Sequence, residues 1–278
     1  MKVEKIFNYK NNYLRFFGGN KFKMKNNNKP LISIVMPNFK SSFFEKAIQS
    51  VVSQKYKNIE FIIIDGGSGH EAIKIIKKYE NYINYWVSEK DRGLWYAWNK
   101  GIKLSKGDYV GIVDSTNFLN KDAIDILVKY IKVVPEADFF LGPVIKGKKI
   151  YSGFRPEDIN LKFNIYPSAV VGFYIKRSSL KKIGLFNIKY TIGADYDFFY
   201  RMIVHNKMRG LAISSKEIFG SFGMPGISSR YNFFIRLFVE LKIRFDNKQN
   251  ILMIIYILVG RCVSKIFFYV LRKNKEYI

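Results

Sequence analysis

Two short apolar runs separated by a helical pattern constrain the fold of this chain more than any other feature. The run LISIVMP, residues 31–37, and the run that opens IEFIIIDGGSG, residues 59–69, are almost continuously apolar. Such runs are typical of strands buried on both faces of a parallel sheet. Between them, apolar side chains recur at helical spacing at Phe44, Ala47, Ile48, Val51 and Val52. The sequence therefore predicts a strand, a helix and a second, parallel strand.

The same alternation continues along the chain. A helical pattern over residues 71–79 precedes the strand-like INYWVSE, and a helix over about 94–104 precedes the strand DYVGIV. This order predicts an α/β fold with its ligand crevice at the carboxyl ends of the strands. Polar clusters follow three of the strands, at residues 65–68, 89–92 and 114–117. Because such loops meet at one sheet edge, we expect a single site there, with unrelated surface turns as the alternative.

The charge composition limits the classes of binding partner to expect. The chain has 47 Lys and Arg against 22 Asp and Glu, a formal charge of +25, which favours nucleotide phosphates, nucleic acid or an anionic membrane. An A+T-rich genome would equally explain much of the lysine excess. Nucleic acid is not expected, because the lysines are dispersed and no basic, aromatic recognition motif occurs. One cysteine, Cys262, and an N-terminus without an apolar signal core predict a cytoplasmic protein.

Three regions follow from the patterning: a basic extension over residues 1–30, a main domain over 31–228, and a basic, apolar helical region over 229–278. In the last region, Arg236, Glu240 and Arg244 recur at four-residue steps. The side chains largely opposite them are apolar: Phe234, Leu237, Phe238 and Leu241. This spacing predicts an amphipathic helix.

Residues 251–271 form a mostly apolar segment long enough to cross a bilayer, interrupted by Arg261 and Lys265. Hydropathy alone does not decide whether this segment spans the bilayer. Those two cations share a helical face with Arg272, which favours a helix lying in the plane of an anionic leaflet. Packing on the main domain or on a second subunit is the alternative, so an anionic membrane surface and a homodimer are both candidate partnerships.

Five segments, in order, carry a family resemblance: ISIVMPNF, IIIDGGSG, WVSEKDRGLWYAWNKGI, GDYVGIVDSTN and GADYDFFYRM. Together they resemble the inverting glycosyltransferases of family 2, closest to the branch that builds bacterial exopolysaccharide, colanic acid or O-antigen chains. The resemblance covers residues 32–228 and implies a GT-A fold, a mostly parallel nucleotide-binding sheet flanked by helices, here followed by C-terminal amphipathic helices. It also implies transfer of a sugar from a nucleotide-sugar, expected to be a UDP-sugar, to a hydroxyl of a saccharide acceptor.

The resemblance also assigns residue roles. Asp65 is expected to bind the donor's base and ribose, with a turn or helix-cap role, which the following glycines would also favour, as the alternative. Asp195 is expected to be the general base that takes the proton of the acceptor hydroxyl, with Asp197 and Glu89 on the acceptor side. The residues assigned to donor binding are Pro37, Asn38, Phe39, Asp65, Gly66, Asp91, Arg92, Asn99, Lys100, Asp114 and Ser115.

One motif departs from the family. Where relatives have Asp-Ser-Asp-Asp or Asn-Ser-Asp-Asp, this chain keeps only Asp114 and has Thr116 and Asn117 in place of the later acids. Mn²⁺ or Mg²⁺ could still be held weakly by Asp114, Asn117 and the diphosphate. Protein cations could instead replace the metal, or the chain could be a non-catalytic homologue that binds a membrane or partner. We expect an enzyme in surface polysaccharide synthesis with a lipid-linked acceptor, peripheral on the inner face of the cell membrane.

A second departure concerns Val170 and Val171, which stand where this branch often has a His-Gln pair. The change predicts altered acceptor contacts or relaxed constraint on the chain.

Overall fold

The structure, a computed structural model, describes residues 6–8, 13–20, 29–153, 155–163, 171–223 and 231–275. Its first half contains β1 (Ile6–Asn8), β2 (Tyr13–Gly18), β3 (Ile32–Asn38), α1 (Phe44–Val52), β4 (Ile59–Asp65), α2 (His70–Lys78), β5 (Tyr85–Ser88), α3 (Leu94–Leu104), β6 (Tyr109–Ile112), β7 (Asn117–Leu119) and α4 (Ala123–Val133). Its second half contains β8 (Phe139–Leu141), β9 (Val144–Lys146), β10 (Lys149–Tyr151), β11 (Phe173–Lys176), α5 (Arg177–Ile183), α6 (Ala194–Tyr200), β12 (Gly210–Ala212), β13 (Gly220–Phe222), α7 (Phe233–Asp246) and α8 (Ile251–Lys275).

The main sheet has the strand order β1-β2-β5-β4-β3-β6-β11-β8-β12. Strands β5, β4, β3 and β6 are parallel neighbours, which confirms the predicted strand-helix-strand units. Outside this group, β2 pairs with β5 and β11 pairs with β6 and β8 in the antiparallel sense. The fold is therefore α/β as predicted, with its parallel strands concentrated where the polar clusters follow.

The N-terminal extension contributes to this sheet. Strand β2 lies against β5 with Phe16 opposite Ser88, so the sheet includes residues that precede the expected domain start. Apolar patterning misses this strand because Arg15 interrupts the run and the surrounding extension is basic. The boundary at residue 31 stays a prediction, and residues 21–28 of the polar linker lie outside the described residues.

A second, four-stranded sheet has the order β10-β9-β13-β7. Strand β7 begins at Asn117, the last residue of the polar cluster 114–117, so a short strand separates that turn from the predicted helix α4. The turn is fastened to the second sheet because Gly223 N–H donates to the Thr116 carbonyl at 2.8 Å. This sheet leaves no clear sequence signal, since each of its strands has three residues.

Apolar side chains fill both faces of the main sheet. Alternate residues of β3 point to opposite faces, so that Ile34 packs in the cluster containing α1, α2 and α4, whereas Val35 packs in the cluster containing α3 and α6. Val171, one of the two departures from the family pattern, is fully buried in the first cluster. Val170 lies outside the described residues.

The predicted C-terminal helices are present, but the buried side of α7 combines apolar Leu237 and Ile243 with charged side chains. Its charged Glu240 and Arg244 are buried, while Phe234 and Phe238 are 72% and 69% exposed. Helix α8 packs on α7 and buries Ile254 and Ile257, in line with the packing alternative. Within the described residues, no helix combines the length and apolarity that crossing a bilayer requires. The side chain of Arg272 is not among those described.

Candidate active site

Asp65, at the end of β4, is the hydrogen-bonding centre of the strand ends. One carboxylate oxygen accepts from Asn38 Nδ2 at 2.7 Å and from Ser68 Oγ at 2.5 Å, and the other accepts from Ser68 N at 2.9 Å and Ser88 Oγ at 2.6 Å. The side chain is fully buried. Asp65 thus organises the turn of residues 65–68, as the turn interpretation expected. Beside it, Asn38 Oδ1 is a buried acceptor that lacks a hydrogen-bond partner in the described part of the chain.

Asp91 is brought to the same place as Asp65. A Cβ atom on Gly66 would lie 3.0 Å from Asp91 Oδ2 and 3.2 Å from Phe39 Cδ2, so a glycine at position 66 allows the two loops to meet. Burial raises the pKa of Asp91, against the lowering effect of the Gly93 N–H and of Lys100, while the nearby Asp65 and Glu89 raise it further. Two carboxylates distant in sequence therefore share one sheet edge, with Phe39 exposed beside them.

Three charged side chains meet next to this pair. Glu89 forms ion pairs with Lys100 and, at 3.1 Å, with Arg15 of β2. Arg15 is a site residue that the sequence patterns do not reveal, because only the pairing of β2 with β5 brings it there. Arg92 is exposed, with its guanidinium 5.9 Å from the centre of the Tyr96 ring. Of the two predicted phosphate-binding cations, Arg92 is thus exposed beside Tyr96, whereas Lys100 is paired with Glu89.

Asp114 begins the turn that follows β6. Its Oδ1 accepts from Trp98 Nε1 at 3.0 Å, and burial raises its pKa to about 7. The Ser115 N–H donates to the Pro37 carbonyl at 3.2 Å, which ties this turn to the end of β3. Asn117 is buried, and its Oδ1 has no hydrogen-bond partner among the described residues. The turn thus lies at the same edge as Asp65, with one carboxylate and one unsatisfied amide oxygen.

This donor set does not fit a tightly held divalent cation. Mn²⁺ and Mg²⁺ favour one or two ionised carboxylates with substrate phosphates. Here Asp114 is bound to an indole N–H and has a raised pKa, and Thr116 and Asn117 are neutral. In the part of the chain that the structure describes, no group of three or more His, Cys, Asp or Glu side chains is placed to hold a metal.

Asp195 lies in the first turn of α6. It accepts one short-range hydrogen bond, from Tyr196 N at 3.0 Å, and burial raises its pKa. The loop before it is held against the site, because Trp95 Nε1 donates to the Thr191 carbonyl at 3.1 Å. Trp95 and Trp98 both pack on Phe186, with centroids 5.8 and 5.0 Å away. Since Trp98 also binds Asp114, this aromatic cluster joins the start of α6 to the strand ends.

Two predicted site residues instead hold the scaffold. Both carboxylate oxygens of Asp197 are occupied, by Arg201 Nε at 2.9 Å and by Asn247 Nδ2 at 2.9 Å. The amide of Asn99 is likewise used, because it donates to the Phe186 carbonyl and accepts from the Phe186 N–H at 2.8 and 2.9 Å. These contacts favour positioning roles: Asp197 joins α6 to the end of α7, and Asn99 fixes the loop that leads to Asp195.

The sequence has counterparts among known proteins. The family model described as glycosyl transferase family 2 matches residues 33–209. The chain belongs to glycosyl transferase family 2. Among family 2 relatives, an uncharacterized glycosyltransferase of Haemophilus influenzae is 27% identical over 213 residues, covering 73% of this chain and 83% of its own length. Another, from Methanocaldococcus jannaschii, is 24% identical over 267 residues, covering 87% and 86%.

Solved structures support the GT-A fold for this family 2 member. TarS residues 1–349 from S. aureus, in complex with UDP-GlcNAc, superpose with a TM-score of 0.61 at 17% identity, over 80% of this chain and 66% of that one. A mannosyltransferase from Pyrobaculum calidifontis, in complex with GDP-Man and Mn²⁺, gives 0.53 at 15% identity, over 80% and 64%. The predicted GT-A fold is confirmed, and the protein is a nucleotide-sugar glycosyltransferase.

Proposed function

We propose that this protein is an inverting transferase that moves a sugar from a UDP-sugar to a hydroxyl of a lipid-linked saccharide acceptor in surface polysaccharide synthesis. The single observation that carries the proposal is the convergence of Asp65 and Asp91 at one sheet edge, with the Asp195 helix fastened to that edge by Trp95 and Trp98. The donor assignment draws on the UDP-GlcNAc bound to TarS.

In the proposed reaction, the acceptor oxygen forms a bond to the anomeric carbon while the bond from that carbon to the diphosphate breaks. The hydroxyl proton passes to the Asp195 carboxylate, and the nucleoside diphosphate leaves. A carboxylate whose pKa is raised by burial is a stronger base than one in water, which suits it to this proton transfer. The backbone N–H groups of Tyr196 and of Asp195 itself lower this pKa, but burial has the larger effect.

The charged residues around the donor have separate proposed parts. Asn38 and Asp65 face the nucleoside, and Arg92, exposed at the start of α3, contacts the leaving diphosphate. Lys100 lies close enough to Asp91 to lower its pKa while it pairs with Glu89. The cations Arg15 and Lys100 thus keep Glu89 from repelling the diphosphate.

Membrane association is part of the same proposal. The exposed side of α7 and α8 is apolar at Phe234, Phe238, Leu252, Tyr256 and Val259. Basic residues accompany it on both helices, which suits a surface lying on an anionic leaflet. A peripheral location on the inner face of the cell membrane would bring the site to an acceptor carried by a lipid.

The test is transfer or hydrolysis of a panel of UDP-sugars by the full chain, with and without Mn²⁺. The Asp195→Asn variant should lose turnover but keep nucleotide binding. The matched control is Asp125→Asn, which removes the same charge from the first turn of α4, and it should behave as wild type. Equal turnover by both variants would refute the assignment of the base.

A non-catalytic homologue is the competing function, favoured by the loss of the acids at Thr116 and Asn117. It predicts nucleotide or membrane binding without turnover of any UDP-sugar in the panel, whichever metal is added.

A further inference from the structure

A cavity of about 340 Å³ lies away from the strand ends, among α7, α8 and residues 162–163. The cations Lys162, Arg236 and Arg261 line it together with the aromatic rings of Phe163 and Phe233. Leu237 and Glu240 complete the lining. None of these residues belongs to the predicted donor or base set, and the sequence brings them together only through the folding of the C-terminal helices onto the main domain.

The acidic group in this cavity is already neutralised. Glu240 accepts from Arg244 Nη2 at 2.7 Å and Nε at 3.1 Å, and from Arg261 Nη2 at 3.3 Å. The two guanidinium groups therefore more than cancel its charge. Arg244 is itself fully buried, so this cationic group cannot turn away to solvent.

Further cations at or near the cavity add to its positive charge. Lys162 is paired with Asp158 at 2.8 Å, and Lys265 Nζ lies 5.5 Å from the centre of the Phe233 ring. Arg236 is exposed at the cavity and takes part in no ion pair within the described residues. The lining itself carries three cations, Lys162, Arg236 and Arg261, against the single carboxylate of Glu240, which also pairs with the buried Arg244. Clustered Lys and Arg side chains of this kind bind phosphate oxygens.

The cavity adjoins the helix that carries the proposed base. The ring of Phe163 lies 4.8 Å from that of Tyr196, the residue after Asp195. A Cβ atom on Gly193 would lie 2.7 Å from Phe163 Cζ, so Phe163 packs directly on the backbone that opens α6. One aromatic side chain therefore separates a positively charged cavity from the start of the catalytic helix.

From this juxtaposition we infer that the cavity binds a phosphate group of the acceptor, held by Arg236, Arg261 and Lys162, while a hydroxyl of the same acceptor reaches Asp195. The acceptor role rests on the proposed function, whereas phosphate binding itself does not. A lipid-linked phosphate and a soluble phosphorylated saccharide share this chemistry. The exposed apolar face beside the cavity, at Phe234 and Phe238, favours the lipid source.

The test measures binding of two probes to the full chain, with UDP present to fill the donor site. One probe is inorganic diphosphate in solution, and the other is phosphatidylcholine vesicles with and without a polyprenyl phosphate. The variant is Arg236→Gln, which removes an exposed charge at the cavity. Its matched control is Lys182→Gln, which removes an exposed charge on α5. Arg236→Lys keeps the charge but not the two-pronged guanidinium.

Arg236→Gln should weaken binding of at least one probe about tenfold, the effect of one charge-assisted contact. Lys182→Gln should have no effect, and Arg236→Lys should restore part of the loss. A loss confined to the polyprenyl phosphate vesicles assigns the site to a lipid phosphate, and a similar loss for both probes assigns it to phosphate in general. Equal binding by Arg236→Gln and Lys182→Gln for both probes would overturn the inference.

Binding of UDP-sugar by Arg236→Gln separates the two proposals. Retained donor binding with lost phosphate binding supports the cavity as a distinct site. If wild type bound phosphate at the cavity but turned over no UDP-sugar, the proposed function would fail while the phosphate site stood.

Discussion

The strand ends and the α7–α8 region each bury a carboxylate, and they satisfy it in opposite ways. Asp65 accepts from the neutral donors Asn38, Ser68 and Ser88, which hold the side chain but leave its negative charge uncancelled. Glu240 accepts from Arg244 and Arg261, which cancel it. Neutral donors preserve a charge for use at a ligand site, whereas paired guanidinium groups turn a buried acid into part of the scaffold.

Asp195 forms a third case, because its carboxylate has only backbone donors among the described residues, and we expect its charge to be the most reactive of the three. Asp195→Asn should lower kcat by roughly 10²–10⁴-fold, because general base catalysis contributes about that much. The measurement is steady-state release of nucleoside diphosphate at saturating donor. A kcat within experimental error of wild type would show that another group takes the proton.

The pH dependence of kcat and of stability tests the same assignment of Asp195 as the base. Burial raises the pKa of Asp195, so the base is protonated at low pH and kcat should rise with pH until it levels off above that raised pKa. The folded protein then holds this proton more tightly than the unfolded chain does. The contribution of Asp195 to stability is thus fully present below its unfolded pKa and is lost as pH rises through its folded pKa.

Wild type should therefore lose stability relative to Asp195→Asn as pH increases through this window, as followed by thermal denaturation of both proteins. A stability difference that is constant with pH would contradict the raised pKa.

Removing one partner of the Glu240–Arg244 pair should have the largest effect on stability. Glu240→Ala leaves a fully buried guanidinium without its carboxylate, which costs about 3–5 kcal/mol in the free energy of unfolding. The matched control is Lys242→Gln on the same helix, which breaks an exposed pair with Asp246 at 3.4 Å and should cost less than about 0.5 kcal/mol. Chemical denaturation measures both, and similar losses would mean that the pair is not structural.

Variants of Asp65 and Asp91 should distinguish a structural role from a ligand-binding role at the strand ends. Asp65 accepts four hydrogen bonds, two at each carboxylate oxygen. In Asp65→Asn an amide NH2 group replaces one of these oxygens and faces two hydrogen-bond donors, which should cost about 2–3 kcal/mol of stability. Asp91→Asn should not lower the melting temperature, because burial disfavours the charge that the substitution removes. Both should weaken binding of UDP-sugar in titration calorimetry. A stable Asp65→Asn variant would assign the network to the ligand alone.

The sequence predicted the strand ends better than the C-terminal helices for a physical reason. Apolar runs such as that of β3 identify strands, and parallel strands bring their polar ends to one edge, so the sequence alone predicts that Asp65, Asp91 and Asp114 lie together. By contrast, Asn99 and Asp197 matched family motifs, yet their side chains are used by Phe186 and Arg201, contacts that a motif match does not indicate. Arg15 depended on a strand pairing that apolar patterning does not indicate either.

Helix α7 shows where periodicity alone misleads. Its spacing separates charged from apolar side chains, but which side is buried depends on partners elsewhere in the chain. Arg244 enters the interior because the Asn160 carbonyl and the Tyr196 ring receive it, at 2.7 Å and 5.0 Å. Leu237 is buried on the same side as Arg244, whereas Phe234 and Phe238 are left at the surface.

Substitution of an exposed apolar side chain of α7 should give the smallest of the expected effects. Phe238→Ser should leave stability unchanged, because the side chain is already exposed, and should weaken binding to anionic vesicles about tenfold through the loss of one inserted aromatic ring. The control is Val133→Ser, which removes an equally exposed apolar side chain at the end of α4. Co-sedimentation with phosphatidylglycerol vesicles compares the two. If Phe238→Ser were less stable but sedimented with vesicles as wild type does, this face would pack on protein. It would then not differ from the buried apolar face of α4.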